Sequence, residues 1–335
     1  MKIRRALAAV AGAALLLTGC GGGAEPEGGT DPAGSPTSAR DAVTINAVTI
    51  VSHPSLDAVY EGIKEGLADA GYVEGDNLTI ELQNPQGDQS TLTNIANTYA
   101  SSDADLFVAI ATPPAQALAQ LIQDRPIVFA SVTDPVAAEL VESLEAPGGN
   151  VTGTSDQLPT DEQLKVILEI DPEVESVGIV YSSAEVNAEV QAGKAIEAGR
   201  ELGVEVKTAT IANSSEVQQA AESLDVDAYF VLVDNTVVSA MEAMVQVAEQ
   251  KQALLVTSDN DSVARGAAAA LSTDYRAQGR QTADVIVQIL EGADPAETPV
   301  QLQESLEFVV NPAAAERMGT TIPDEVLAKA DDTVE

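Results

Sequence analysis

Polar residues directly follow several apolar runs of the chain, where loops should leave predicted strands. The run "IATPPAQ" places Thr112 after such a strand, with Pro113 and Pro114 at the first positions of a predicted helix. Proline fits there because the first amide groups of a helix have no intrahelical partner. Those amides and the helix dipole favour an anion, so Thr112 and Pro113 mark a predicted anion site. Thr is also a preferred helix cap, and Thr112 could serve only as one.

A second run repeats this arrangement one strand later. "SVTDPV" has Ser131, Thr133 and Asp134 before Pro135. Two helix starts that lie side by side at one edge of a sheet make a better anion site than either alone. We therefore add Ser131, Thr133 and Asp134 to the candidate binding residues.

Acidic and amide side chains occupy the matching places further along the chain. Asp234 and Asn235 follow one apolar strand, and Asp259 follows the next. An acid at a strand end can accept hydrogen bonds from a bound ammonium group. Each could instead cap a helix, but their places in two adjacent loops favour ligand contact. Asp156 is a further candidate of the same kind.

His53 is the sole histidine of the chain and follows the first predicted strand, in "SHPSLD". A lone histidine is commonly structural or solvated, yet this position lies at the expected mouth of a cleft, so contact with a ligand is a second hypothesis. Tyr60, Tyr181 and Tyr275 could offer a face to an apolar side chain. Packing explains each of these tyrosines equally well.

Strands and helices alternate in the pattern of parallel sheets with crossover helices. One array has predicted strands at 43–51, 78–82, 105–110 and 126–130, and helices at 55–70, 90–100 and 115–122. A second has strands at 177–181, 204–208, 227–233 and 253–257, and helices at 184–202, 214–223 and 236–250. The runs "GDQSTLTNIANTYASSDADLFVAI" and "ANSSEVQQAAESLDVDAYFVLV" share the same order of features. Each has a serine cap, an apolar helix face, and then two aspartates before a strand that contains an aromatic residue. The pattern predicts two similar α/β lobes whose facing loops hold a ligand.

The first twenty residues predict export. Lys2, Arg4 and Arg5 precede an apolar run at 6–17, which is shorter than the roughly 20 residues needed to span a bilayer. The run ends on "LTGC", which resembles a bacterial lipobox, so residues 1–19 are a predicted signal peptide and Cys20 a predicted lipidation site. Cys20 is the only cysteine, and residues 20–41 have the composition of a flexible tether.

Charge and missing motifs exclude several functions. The net charge of -37, from 53 acidic and 16 basic residues, repels nucleic acid. The sequence has no G-x-S-x-G motif, no second histidine and no phosphate loop ending in Gly-Lys-Ser or Gly-Lys-Thr. We therefore expect no enzyme, cofactor or metal site, although hydrolysis by carboxylates alone stays formally open.

The sequence resembles the substrate-binding proteins of tryptophan/tyrosine-type ABC importers over residues 43–323. The resemblance rests on the runs "SHPSLDAVYEGIKEGLADAGY", "NPQGDQSTLTNIANTYA", "VAIATPPAQAL", "PIVFASVTDPVAAELVESLEAPGGNVTGTSD", "NSSEVQQAAESL", "VDNTVVSAMEA", "SDNDSVARGAAAALSTDYRAQGRQTADVIVQIL" and "NPAAAERMGTTIP". It implies a type I periplasmic-binding-protein fold with two Rossmann-like (flavodoxin-like) lobes and a three-strand hinge. The implied lobes are 42–152 plus 273–296 and 153–272 plus 297–335, with crossings near 151–154, 270–274 and 295–303.

The same resemblance implies a function. The protein would capture a small amino-acid-like ligand, aromatic by preference, and deliver it to the transmembrane subunits of an ABC permease. It would act as a monomer, held by its lipid at the extracytoplasmic face of the cell membrane. An aliphatic amino acid, a sugar or a nucleoside are alternative ligands, and ligand sensing without transport is an alternative role.

Overall fold

The computed structural model describes residues 42–303 and 305–334. The predicted signal peptide, the predicted lipidation site Cys20 and the predicted tether lie outside the described residues. The strands are β1 (Val43–Val48), β2 (Leu78–Gln83), β3 (Leu106–Ile110), β4 (Ile127–Ala130), β5 (Val151–Gly153), β6 (Ser176–Ser182), β7 (Glu205–Ile211), β8 (Ala228–Val231), β9 (Leu254–Thr257), β10 (Ala269–Ser272), β11 (Glu307–Val310) and β12 (Asp332–Thr333). The helices are α1 (Pro54–Asp69), α2 (Gln89–Ala100), α3 (Thr112–Leu121), α4 (Thr160–Ile170), α5 (Val186–Leu202), α6 (Val217–Ser223), α7 (Asn235–Val238), α8 (Met241–Lys251), α9 (Asp261–Ala264), α10 (Tyr275–Leu290), α11 (Pro312–Arg317) and α12 (Asp324–Leu327).

The first sheet has five parallel strands in the order β2-β1-β3-β4-β5, and with its helices it forms the first lobe. Every residue of β3 and β4 is buried, because both faces of a parallel sheet are covered by helices. Helix α10 joins this lobe late in the sequence by packing on α1. Gly62 and Gly279 allow that contact, since a Cβ on Gly279 would stand 2.1 Å from the Val59 carbonyl oxygen.

The second sheet has seven strands in the order β12-β11-β10-β9-β8-β6-β7, and with its helices it forms the second lobe. All neighbouring pairs are parallel except β10 and β11. Its core is aliphatic around the buried rings of Tyr229 and Phe230, and the Tyr229 hydroxyl donates to the Ala221 carbonyl at 2.7 Å. The predicted α/β class with two parallel-dominated sheets is confirmed.

The chain passes between the lobes after β5, after β10 and before β11. The first and third passages are hydrogen-bonded to each other: Ser155 N donates to Gln301 O at 2.8 Å, and Gln301 N donates to Gly153 O at 2.9 Å. The third passage is fixed to the first lobe by Val300, which belongs to that lobe's core. Gly153 is required because a Cβ there would meet the Phe129 carbonyl oxygen at 2.0 Å.

Among the residues that the structure describes, no helix combines the length and apolar character needed to cross a bilayer.

Candidate ligand-binding site

A central cavity lies where the carboxyl ends of the strands of both lobes meet, the edge at which open α/β sheets bind ligands. Its lining comes from the loops after β1, β4, β5, β8 and β9, from the starts of α1, α5 and α10, and from α7. The lining residues are His53, Ser55, Leu56, Ser131, Thr133, Asp156, Asn187, Val233, Asp234, Asn235, Val238, Asp259 and Tyr275. The space left for the centres of water molecules is about 20 Å³, enough for one or two of them.

Four buried polar atoms of this lining have no hydrogen-bond partner within the protein: His53 Nδ1, Thr133 Oγ1, Asp156 Oδ1 and Asn187 Oδ1. A buried polar atom left unpaired costs roughly 1–3 kcal/mol, so such atoms are rare in folded proteins. Their concentration around one cavity indicates that a polar ligand or water satisfies them.

Asp156 is the acid of this lining with a free oxygen. It follows β5 and is fully buried, and its Oδ2 accepts a hydrogen bond from the Tyr275 hydroxyl at 3.3 Å while Oδ1 has no partner. Burial raises the pKa of Asp156 to about 6, although the hydroxyls of Thr133 and Tyr275 act in the opposite direction. Burial also raises the pKa of Tyr275, so its hydroxyl remains a donor. A ligand cation at Oδ1 would stabilise the carboxylate.

Asp234 and Asp259 line the same cavity but are engaged by their own lobe. Asp234 caps α7, accepting from Val237 N at 2.9 Å, and its other oxygen accepts from Ser182 N at 2.6 Å. Asp259 accepts from Ser262 N at 2.9 Å and from the Ser262 hydroxyl at 2.8 Å. Burial raises the pKa of both carboxyls, and the nearby Glu185 adds to the rise at Asp234. The helix-capping alternative therefore describes Asp234, whereas Asp259 is held by the amide and hydroxyl of Ser262 in α9.

His53 stands immediately before α1, where its ring closes one wall of the cavity. Nε2 lies 3.4 Å from Asn235 Oδ1 of the second lobe, and Nδ1 is unpartnered. Burial lowers the pKa of His53 to about 4, so the ring is neutral near pH 7. Ser55 and Leu56 in the first turn of α1 face the cavity, and their two amides have no intrahelical partner, whereas Asp57 N donates to His53 O at 3.0 Å.

Among the described residues, side-chain hydrogen bonds cross from one lobe to the other around the cavity. Besides the His53–Asn235 pair, the Ser55 hydroxyl donates to Asp259 Oδ1 at 3.1 Å. At the rim, Lys194 Nζ donates to Asp134 Oδ2 at 3.2 Å. The lobes are thus drawn together, and an amino acid could enter only after they separate.

The structure brings seven of the ten predicted residues to the cavity and leaves three outside it. Seven line it: His53, Ser131, Thr133, Asp156, Asp234, Asn235 and Asp259. Thr112 and Pro113 lie in the buried first turn of α3, behind the lining, and Thr112 Oγ1 has no partner. Asp134 accepts from Ala137 N at 3.0 Å and pairs with Lys194, which places it at the rim.

Several lining residues escaped prediction from the sequence: Ser55, Leu56, Asn187, Val233 and Val238. Ser55 could have been found, since it comes two residues after His53 at a predicted helix start. Asn187 carried no local signal, because its Nδ2 bond to Val233 O at 2.7 Å and its free Oδ1 depend on the packing of α5.

Two residues at the carboxyl edge of the first sheet have left-handed backbone. Ala111, after β3, has a φ of 83°, and Ser131, after β4, has a φ of 54°. Such conformations cost non-glycine residues free energy and collect at binding sites. The Ser131 hydroxyl is held by Gln278 Oε1 at 2.6 Å, which ties this strained turn to α10.

Within residues 42–303 and 305–334, no three His, Cys, Asp or Glu side chains are grouped so that they could hold a metal ion.

Residues 44–334 match the family model described as ABC transporter substrate binding protein. A tyrosine-binding protein from Clostridioides difficile (strain R20291) is 36% identical over 302 residues, covering 88% of this chain and 86% of the relative. The chain belongs to the ABC transporter substrate-binding protein family. The predicted family is confirmed, and this substrate-binding protein has the type I periplasmic-binding fold that was expected.

Two solved structures of similar sequence differ in whether they contain a ligand. An ABC domain from Streptococcus pneumonia in complex with L-Trp is 36% identical, with a TM-score of 0.85. The match covers 88% of this chain and 100% of that chain. The ligand-free, open structure of a substrate-binding protein with adhesive properties from Clostridium difficile is 33% identical, with a TM-score of 0.66, at 88% and 99% coverage. At nearly equal identity, the TM-score is higher for the L-Trp complex than for the ligand-free, open structure.

Proposed function

We propose that this substrate-binding protein captures an α-amino acid with a large side chain between its lobes and delivers it to an ABC permease. The observation that carries the proposal is the free, buried Oδ1 of Asp156 among the other unpartnered atoms of the central cavity. An isolated buried carboxylate is costly, and a ligand ammonium group is the partner that removes this cost.

The ammonium group of the ligand binds Asp156 in this proposal. Asp156 lies on the first passage between the lobes, and Tyr275 at the start of α10 already orients its second oxygen. Because the ammonium donates three hydrogen bonds, the unpartnered Asn187 Oδ1 of the second lobe is a further acceptor. A single group would then bridge both lobes.

The carboxylate of the ligand binds at the start of α1 and at Thr133. The amides of Ser55 and Leu56 have no intrahelical acceptor and lie at the positive end of a 16-residue helix. The Thr133 hydroxyl is buried beside the Asp156 carboxyl, whose pKa it lowers, and it has no well-formed hydrogen bond within the protein. Donors and the acidic acceptor therefore occur together, as the zwitterionic head of an amino acid requires.

The relatives favour an aromatic side chain. One curated relative is named for tyrosine binding, and one similar structure contains L-Trp. We extend this ligand class to the present protein, in place of the sugars and nucleosides that were the alternatives.

Closure of the lobes provides the signal for delivery. Asp156, Asn187 and the start of α1 come together only when the lobes meet, so a ligand that binds all of them stabilises the closed form. The permease recognises that form. A lipid on Cys20 and a tether of residues 20–41 keep the protein near the membrane, which raises its effective concentration at the permease.

Thermal unfolding of the full-length protein in detergent, with each of the twenty amino acids, glucose and adenosine, tests the ligand class. A ligand at 100 times its Kd should stabilise the protein by about 2.7 kcal/mol. We expect stabilisation by L-tyrosine or L-tryptophan. Stabilisation by glucose or adenosine alone would contradict the proposal.

The anchor is tested separately. Cells supplied with radiolabelled palmitate should label the wild-type protein and leave the Cys20→Ala variant unlabelled. Equal labelling of both would place the lipid elsewhere.

A further inference from the structure

A second space, which we call the side hollow, lies between the lobes next to the central cavity. It is bounded in the first lobe by the loop after β1 and by the start of α2, and in the second lobe by the loops after β6 and β7 and by α7. It offers about 110 Å³ for the centres of water molecules, against about 20 Å³ in the central cavity. The side hollow is therefore the larger of these two spaces, and the central cavity that contains Asp156 is the smaller.

A narrow partition separates the two spaces. Asn235 lines both of them, and its Oδ1 lies 3.4 Å from His53 Nε2 across the cleft. Hydrogen bonds between nitrogen and oxygen are usually 2.7–3.2 Å long, so this one is weak. Asn235 is held from its other side, because its Nδ2 donates to Glu185 Oε2 at 2.6 Å. The His53 ring can thus leave Asn235 at little cost in free energy.

The wall of the side hollow combines apolar and acceptor character. Ile50 and Val51 provide aliphatic surface from the first lobe. Glu185 faces them from the second lobe and is 3% exposed. Its five donors are neutral groups: Asn187 Nδ2 at 3.4 Å, Asn235 N at 3.2 Å, Asn235 Nδ2 at 2.6 Å, Thr236 N at 2.9 Å and Thr236 Oγ1 at 2.7 Å.

Such a wall selects among side chains. A negative charge paired only with neutral donors leaves a negative potential, which opposes an acidic side chain and favours a neutral donor such as a phenol or an indole N–H. The aliphatic residues favour a flat apolar body leading to that donor.

We infer that the side hollow is the specificity pocket of the cleft. The ligand's side chain displaces the His53–Asn235 contact and enters it, so that bulky amino acids ending in a neutral hydrogen-bond donor are selected over small and acidic ones. This inference rests on the proposed function, since it places the amino-acid head at Asp156.

Filling the side hollow tests the inference. Ala184 and Ala212 line it from different loops, and both are exposed, so leucine there does not disturb a packed core. Calorimetric titration of full-length Ala184→Leu and Ala212→Leu with L-tyrosine and L-tryptophan should show affinity reduced roughly tenfold or more. Ser183 is an exposed neighbour outside the lining, and Ser183→Leu should bind as the wild type does.

The wild type supplies the second readout. L-tyrosine and L-tryptophan should bind more tightly than L-phenylalanine, and L-glutamate should bind least. Tight binding of L-tyrosine by both leucine variants, or equal binding of L-alanine and L-tyrosine by the wild type, overturns the inference and leaves the proposed function intact. A wild type that binds no amino acid overturns both.

Discussion

Two kinds of buried acid face the same cavity, and they differ in what holds them. At the strand ends of the second lobe, both oxygens of Asp234 and both of Asp259 accept from groups of their own lobe. On the passage between the lobes, Asp156 has one oxygen held by Tyr275 and one left free. Position at a strand end thus identifies the edge of the sheet, whereas the free lone pair is what distinguishes Asp156, the residue we propose as the ligand's acceptor.

The largest expected effect comes from removing the free acceptor. Asp156→Asn should weaken amino-acid binding by on the order of 3–4 kcal/mol, a few hundredfold in Kd, because the ligand ammonium would lose the buried negative charge that pairs with it. Calorimetric titration with L-tyrosine measures this. Asp259→Asn is the matched control, and its affinity for L-tyrosine should fall by less than about tenfold. An Asp156→Asn variant that binds like the wild type would remove Asp156 from the site.

The pH dependence of stability should separate Asp156 from His53. The folded-state pKa of His53 is about 4, below its usual value of 6.5, so the unfolded chain binds more protons between these values and stability rises with pH. The pKa of Asp156 is about 6, above its usual 3.8, so the folded chain binds more protons and stability falls as pH rises through that window. Each contribution is on the order of 3 kcal/mol.

Urea unfolding of ligand-free protein between pH 4 and 7 measures how the free energy of unfolding changes with pH because of each of the two groups. Relative to wild type, the free energy of unfolding of His53→Gln should fall as pH rises. That of Asp156→Asn should increase relative to wild type over the same range. Parallel curves for all three proteins would show that neither group changes its pKa on folding.

Replacing Asp234, the acid that caps α7, should affect the stability of the protein more than its ligand binding. Asp234→Ala leaves two buried amides, Ser182 N and Val237 N, without an acceptor, and should reduce the free energy of unfolding by about 2–3 kcal/mol. Asp234→Asn keeps one acceptor oxygen and should lose about half as much. Urea unfolding gives these values. Normal stability with abolished ligand binding would make Asp234 an acceptor for the ligand after all.

The smallest effect is expected at the rim. Lys194→Met removes the ion pair with Asp134 that crosses between the lobes. Because both side chains are partly solvated, the closed form should lose about 0.5 kcal/mol, or roughly twofold in affinity, and the loss should shrink at high salt. Lys165→Met is the control, since Lys165 pairs with Asp161 and Glu162 of its own helix. Equal effects of the two variants would show that the Lys194 pair plays no part in closure.

Most of the repeated strands and helices could be predicted, and the differences have local causes. The predicted helix at 236–250 is two helices, α7 and α8, which part at Ser239 and Ala240. Helix α4 was not predicted, although its buried face is apolar: Leu164, Val166, Ile167 and Ile170. It lies just after the first passage between the lobes, outside the repeated pattern that guided the prediction.

The sequence alone determined the α/β class, the two-lobed repeat and the edge of the sheets at which most of the candidate residues gather, because periodicity and strand-end residues are local signals. It also brought His53, Thr133, Asp156 and Asp234 into one candidate set. Only the tertiary structure decided which of these have free atoms. Partners such as Ser182 for Asp234 and Tyr275 for Asp156 stand 52 and 119 residues away in the chain, and no local pattern specifies contacts at such separations.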